Sequence, residues 1–333
     1  MRKVLFIGGT GQISLCCVEA AIAAGDDVSV YNRGRTASNL PKDVHVLVGD
    51  YEDDAAYAAL GHRDFDVVCQ FIAFGPEHVS RDLRTFRGSA GQYIFISSAS
   101  AYQKPVVQYR ITEAVPLINP FWEYSQRKIA GENVLREQTE VPYTIVRPSH
   151  TVRTRLPAAF SEGDQAISRM QDGLPVIVPG DGTSLWTLTR CEDFAPPFVR
   201  LFANKMALGE DFHITSDHAF TWDQIYQAIG RGVGAKAELV HVPSETLVRF
   251  HPDWIGPLLG DKIYSVLFDN SKLKAVVGDF DCEGDIDRVV AAPCAAYRHR
   301  QATTGSTPRP LDPLFDRIIS EQRAVGLAAG RSP

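Results

Sequence analysis

Three side chains near the middle of the chain have the types and spacing for proton transfer at a carbinol. The run Phe95-Ile96-Ser97-Ser98-Ala99-Ser100-Ala101-Tyr102 is followed by Tyr124-Ser125-Gln126-Arg127-Lys128. Tyr124 and Lys128 are four apart, so on a helix they share a face. A free phenol titrates near ~10, which makes its deprotonation at neutral pH cost roughly 4 kcal/mol. A neighbouring ammonium lowers that cost by Coulomb attraction. Ser98 would then hold the reacting oxygen while Tyr124 gives or takes its proton. A Tyr–Lys pair at this spacing is common by chance; its place after a Ser-rich strand end is what gives it weight.

A second feature says what would accompany the proton. Gly8-Gly9-Thr10-Gly11 lies between an apolar run, Val4 to Ile7, and a segment in which Ile13, Cys17, Ala20, Ala21 and Ala24 recur at helical spacing. Glycines in that context allow a tight turn and let a pyrophosphate approach the backbone at a helix start. This is the setting of a dinucleotide, whose nicotinamide ring passes a hydride and, when oxidised, adds its positive charge to the ammonium's in lowering the cost of deprotonating the phenol. The usual third glycine falls at Ser14, which is still small. The next strand ends Tyr31-Asn32-Arg33-Gly34-Arg35 and lacks the carboxylate that favours NAD. Either Arg33 and Arg35 bind a 2′-phosphate through their bidentate forks, or they are solvated loop charges. The missing carboxylate favours the former, so the expected cofactor is NADP, with NAD as the alternative. Asp50, in Gly49-Asp50-Tyr51, is placed to accept a bond from the adenine amino group.

These groups need a frame. Strands are expected at Val4–Ile7, Val28–Tyr31, Val44–Val48, Val67–Ile72, Tyr93–Ser97 and Tyr143–Arg147. Helices are expected up to Gly25 and over Asp53–Leu60, His78–Phe86 and Phe121–Gln138. Alternation of this kind predicts an α/β protein with a Rossmann doubly wound parallel sheet. After Pro148 the regularity weakens, with Pro157, Pro175, Pro179, Pro196 and Pro197 expected to break the chain. The expected organisation is a dinucleotide-binding domain over 1–150 and a smaller mixed α/β substrate lobe over most of 151–333. Some segments of the latter return to the main sheet. Tyr297 to Pro310 reads as a basic surface loop and Leu314 to Val325 as a terminal helix.

Bulk properties bound the partners. Of 333 residues, 44% are hydrophobic and 22% charged, as in an ordinary folded domain. The net charge of −6 argues against nucleic acid and anionic membrane. No apolar run approaches a membrane span, and the opening residues read as a strand rather than a signal peptide. The six cysteines, Cys16, Cys17, Cys69, Cys191, Cys282 and Cys294, show no CxxC spacing and read as reduced, buried thiols of a cytoplasmic protein. His213, Asp217 and His218 fit no common metal motif, so no metal is expected. His241, Trp222 and Trp254 read as lobe packing.

The GGTG loop, Asp50, the SSASAY run with Ser98, Tyr124-x-x-x-Lys128 and Arg147-Pro148-Ser149 together resemble an extended short-chain dehydrogenase/reductase of the NAD-dependent epimerase/dehydratase family. The likeness covers roughly residues 3 to 200. Details around Phe74-Gly75-Pro76-Glu77 and Tyr31-Asn32-Arg33-Gly34 look closest to the branch that includes chloroplast stem-loop-binding proteins. The resemblance implies catalytic Ser98, Tyr124 and Lys128. It implies cofactor contacts at Gly8, Gly11, Gln12, Ile13, Asn32, Arg33, Arg35, Asp50, Tyr51, Phe71, Ala73, Ser97, Lys128 and Pro148, and often a homodimer. Ser98, Ser100, His150, Trp186 and Arg190 are the candidate substrate contacts.

There are three departures. Ala99-Ser100 replaces the Asp-Glu of dehydratases, so dehydration is not expected. His150 stands where the family often has Asn, and suits a substrate contact, proton transfer or a structural role. Trp186 stands where relatives place an arginine that clamps a nucleotide diphosphate; Arg190, or Arg153 and Arg155, are the substitutes. The leading expectation is reversible hydride transfer at a secondary alcohol or ketone of a small, sugar-like substrate, as a reductase or epimerase. The alternative is a non-catalytic regulatory or RNA-binding protein of the same fold.

Overall fold

The computed structural model describes residues 1–35, 40–160, 163–305 and 307–329. Its first half alternates β1 (Lys3–Ile7), α1 (Ser14–Ala23), β2 (Asp27–Asn32), β3 (His45–Val48), α2 (Asp54–Ala58), β4 (Val67–Gln70), α3 (Pro76–Phe86), β5 (Tyr93–Ile96), α4 (Glu123–Glu137) and β6 (Tyr143–Pro148). Then follow β7 (His150–Val152), α5 (Gln165–Gln171), β8 (Val176–Pro179), β9 (Leu185–Trp186), β10 (Leu188–Arg190), α6 (Cys191–Val199), β11 (Asp211–Ile214), β12 (Phe220–Thr221), α7 (Trp222–Val233), β13 (Leu239–Val242) and α8 (Ser244–Phe250).

Seven parallel strands form one sheet in the order β11-β6-β5-β4-β1-β2-β3. Strands alternate their side chains between two apolar layers, which is why they read as continuous hydrophobic runs. Val4, Phe6, Val30, Cys69 and Ile94 pack toward α1 and α6. Leu5, Ile7, Val68, Tyr93 and Phe95 pack toward α3 and α4. Strand order reverses between β1 and β4, and the crevice beyond their carboxyl ends is the binding position such a sheet creates. A third core lies beyond β6, built on Trp186, Trp222, Tyr226, Trp254 and Phe160. Short pairs β7–β10, β8–β13 and β9–β12 frame it, while β11 returns to the main sheet. No helix among the described residues is long and apolar enough to cross a membrane.

Three expectations need correction. Cys16 and Cys191 form a disulfide joining α1 to α6, leaving Cys17, Cys69, Cys282 and Cys294 free. The two cysteines are 175 positions apart, and only the packing of α1 on α6 brings them together. The segment read as a loop from Tyr297 is helical to Thr304, within a helix beginning at Ala291. Its polar surface hides strong helix formers, and Pro293 sits in the first turn, where no intrahelical N–H is needed. Pro196 and Pro197 lie inside α6 rather than ending an element.

Candidate functional site

The cleft starts at the first turn of the chain. Gly8 has φ +84°, and a Cβ there would lie 2.5 Å from Ile72 Cγ2. Only glycine fits that backbone beside β4. Ser14, at the place of the third glycine, is buried. Its hydroxyl donates to Gly8 O at 2.7 Å and accepts from Gly11 N at 2.8 Å, so the smaller side chain ties the loop together. Gln12 ties the loop to the second half of the chain: it donates to Thr154 Oγ1 at 2.7 Å and accepts from the Thr154 and Arg155 amides.

Beyond the loop, a cavity of about 520 Å³ is lined by Gly8, Gly11, Tyr31, Asn32, Arg33, Arg35, Asp50, Tyr51, Ile72, Phe74 and His78. Arg33 and Arg35 are exposed at its rim. Asn32 Oδ1 accepts from Gly34 N at 2.7 Å, while its buried Nδ2 has no hydrogen-bond partner among the described residues. An orphaned donor, two cations and the glycine cradle fit an adenosine with its phosphates. Behind this wall Arg81 lies over the Tyr51 ring at 4.0 Å, and Asp82 accepts from Tyr57, Tyr93 and Gln70. Burial outweighs those bonds and pushes the Asp82 carboxyl up to about 6.

On the other side of the glycine loop, a cavity of about 300 Å³ is lined by Gly8, Gly11, Gln12, Ile13, Phe71, Ser97, Ser98, Tyr124, Lys128 and Pro148. Lys128 comes off α4 and is 2% exposed. Its Nζ donates to Ala73 O and Ile96 O, both at 2.7 Å. Desolvation lowers its pKa to about 7, with the Glu132 carboxylate opposing that fall. Ala73 therefore serves the lysine through its carbonyl, and it does not line the cavity. Ser97 likewise points its hydroxyl at Glu132 Oε1, 2.5 Å away.

Tyr124 is the phenol of the cleft, its ring centre 5.9 Å from Lys128 Nζ. Burial raises its pKa; a hydrogen bond with Ser98 opposes the rise, and Asp261 adds to it. Tyr124 is thus held as a protonated acid. Two of the three Lys128 donors go to backbone carbonyls, which leaves one N–H free for a bound dinucleotide. Ser98 Oγ lies 2.8 Å from Ser100 Oγ, which lies 2.7 Å from Ser125 Oγ, a hydroxyl chain ending beside Tyr124.

A further cavity of about 280 Å³ shares Ser98, Tyr124, Pro148 and Ser149 with the last one. Ser100, Trp122, His150, Trp186, Thr187, Asp261, Lys262, Val266 and Phe268 complete it. Trp186 Nε1 donates to His150 Nδ1 at 3.2 Å, and burial pushes the imidazole down to about 3, so His150 is a neutral acceptor. Arg190 does not join them. It opens α6 and forms a bidentate pair with Asp193 at 2.6 and 2.9 Å. The Trp186–Arg190 stretch is two short strands separated at Thr187, and Arg190 ends the second, directly before α6.

Sequence reasoning missed Asp261 and Lys262, which stand far from the other site residues in sequence, and Trp122, which lies two before Tyr124. It also missed Glu132, although that residue lies four after Lys128 on one helix face. Glu132 is fully buried and accepts from Ser97, Arg136 and, through both nitrogens of a fork, Arg147 at 2.9 and 2.7 Å. Arg147 also reaches Asp211 and Tyr102. His213, set aside as a metal ligand, is buried between Tyr102 and Asp269 O.

The comparisons with known proteins agree with this architecture. The model of the NAD dependent epimerase/dehydratase family matches residues 4–215. The chain is 25% identical over 338 residues to 2'-dehydrokanamycin reductase of Streptomyces kanamyceticus, covering 98% of this chain and 93% of that one. It is 27% identical over 257 residues to chloroplast stem-loop binding protein of 41 kDa b of Arabidopsis thaliana, covering 72% and 66%. The fold is shared with UDP-glucuronic acid 4-epimerase of Bacillus cereus, solved with UDP-glucuronic acid and NAD. The TM-score is 0.71 at 17% identity, over 89% of this chain and 99% of the other. The glycine cradle, the Ser–Tyr–Lys cleft and the family match over residues 4–215 lead to one conclusion: the chain belongs to the NAD-dependent epimerase/dehydratase family.

Proposed function

We propose that this protein is an NADPH-preferring oxidoreductase that reduces a ketone to a secondary alcohol on a small, sugar-like ring. Residues 1–150 would hold the dinucleotide and most of 151–333 the substrate. The observation that carries the reading is the shared wall: Ser98 and Tyr124 face both the cavity beside the glycine loop and the cavity of the second core. A carbonyl bound on one side would meet a hydride donor on the other. The nicotinamide dinucleotide, when bound, supplies the hydride. Ser98 donates a hydrogen bond to the carbonyl oxygen, and Tyr124 delivers its proton to that oxygen as the carbon is reduced. A phenol kept protonated by burial suits this direction. Lys128, fixed by two carbonyls, would hold the nicotinamide ribose and replenish charge beside Tyr124.

Arg33 and Arg35 support NADPH, since both line the adenosine cavity and are exposed at its rim. The relative named as a reductase supports reduction. The cavity beside His150, about 280 Å³ with a tryptophan in place of an arginine clamp, favours a single ring over a nucleotide-diphosphate sugar. The stem-loop-binding relative raises an RNA role, which a net charge of −6 disfavours. The test is NADPH consumption with a panel of keto-sugars and cyclic ketones, run with wild type and Tyr124→Phe, alongside RNA filter binding. Turnover by wild type and loss in Tyr124→Phe at unchanged NADPH affinity is the expected result. RNA retention with no turnover of any ketone would overturn the reading.

A further inference from the structure

The second cavity contains a charge pair for which the hydride reaction has no use. Leu258–Lys262 is a π-helical turn, a geometry that redirects adjacent side chains and recurs at functional sites. It is packed tightly: a Cβ on Gly256 or Gly260 would strike Trp122, Asn119 Nδ2 donates to Gly260 O at 2.7 Å, and Trp222 Nε1 donates to Lys262 O at 3.1 Å. The turn delivers Asp261 and Lys262 to the cavity wall, each 9% exposed. Lys262 Nζ lies 3.5 Å from Asp261 Oδ2, and 5.3 and 5.5 Å from the rings of Trp122 and Trp186. Behind Asp261 stands Lys104, 2% exposed, its Nζ 3.8 Å from Asp261 Oδ1 and without a hydrogen-bond partner.

We propose that Asp261 and Lys262 are specificity-determining residues that read two adjacent hydroxyls of a neutral ring, remote from the carbon being reduced. The proposal rests on the reading of this cavity as the substrate site. The carboxylate only accepts, and the ammonium has three donors of which one long bond uses at most one. A donor and an acceptor side by side match a vicinal diol, where each hydroxyl both gives and takes. Among the described residues lining the cavity, Asp261 is the one acidic and Lys262 the one ammonium-bearing side chain, and they stand against each other. An anionic substituent would be set against Asp261, and a cationic one against Lys262 with Lys104 behind it. A neutral diol leaves both charges paired, as buried charges require.

The test measures binding to the NADPH-loaded protein, independently of turnover. The probes are neutral hexopyranosides and cyclitols, their monodeoxy counterparts, and the matching uronic acids and amino sugars. The expected result is binding of a neutral vicinal diol, with its monodeoxy counterpart weaker by roughly tenfold or more, as loss of a hydrogen bond to a charged group implies. Lys262→Met and Asp261→Asn should each erase that difference without changing NADPH affinity. Should Asp261→Asn fail to fold with Lys104 uncompensated, Lys262→Met, which keeps the stem between the indoles, decides alone. Persistence of the difference in the variants, tighter binding of the acidic counterparts, or no binding by any neutral member overturns the proposal. Diol-dependent binding with no reduction of any ketone would defeat the proposed function but leave this inference standing; reduction with no diol dependence would do the reverse.

Discussion

Replacing Lys128 by methionine removes an ammonium that the fold buries at a cost. The lysine titrates at 10.5 when exposed and at about 7 in place, because burial disfavours its charge. A base whose folded pKa is depressed destabilises the native state fully below the folded value. The penalty is relieved as pH rises toward the unfolded one. Linkage with these two values gives the wild type about 2–3 kcal/mol of added stability between about pH 6 and about pH 9. Lys128→Met lacks that gain. It also strands Ala73 O and Ile96 O, each losing a bond of 2.7 Å, but that loss does not vary with pH. Urea unfolding of both proteins at the two pH values isolates the effect, since other titrating groups cancel in the difference. The variant should compare best with wild type at the acid end and lose about 2–3 kcal/mol relative to it by the alkaline end. Parallel stability curves would refute the claim that a buried, partly neutral lysine sits at the heart of the cleft.

Glu132→Gln should lower stability by about 3–5 kcal/mol in urea, because it leaves the buried Arg147 half paired. The double change Glu132→Met with Arg147→Met should recover much of that; a single variant within about 1 kcal/mol of wild type contradicts the network's role. Arg33→Ala and Arg35→Ala should each weaken NADPH by roughly tenfold or more in fluorescence titration with little effect on NADH, as loss of a charge-assisted phosphate contact implies; equal losses for both cofactors would remove the 2′-phosphate assignment. Gly8→Ala places a Cβ 2.5 Å from Ile72 Cγ2 at φ +84°. It should cost about 1–3 kcal/mol in thermal or urea unfolding and weaken NADPH in the same titration; a variant with wild-type stability and affinity would contradict the cradle.

The cofactor half of the site was legible because its signals are local. Gly8, Gly11 and the strand-to-helix switch around them are contiguous, and Tyr124 and Lys128 lie one helical turn apart. The parallel sheet followed from apolar runs at regular intervals, and most boundaries fell within a few residues of expectation. What escaped depends on packing between distant segments. Cys16 meets Cys191 only because α1 lies on α6. Asp261 and Lys262 reach Tyr124 through a π-helical turn that no periodicity announces. Arg190 follows Trp186 closely in sequence, yet it stands directly before α6 and pairs with Asp193. Spacing shows that Lys128 is near Tyr124, but not that two backbone carbonyls take two of its three donors. His150 gained its place on the cavity wall, bonded to Trp186, from the pairing of β7 with β10.

The central claim is that the wall shared by the two cavities is where a hydride and the Tyr124 proton converge on one carbonyl. Its most direct measurement follows deuterium from NADPH labelled at the nicotinamide C4 into product, read by mass spectrometry, across keto-sugars and cyclic polyol ketones. The account predicts one deuterium on the carbinol carbon of the product formed by wild type, and none with Tyr124→Phe, although that variant binds NADPH as tightly. Product formed without label, or labelled product at an undiminished rate in Tyr124→Phe, would contradict it.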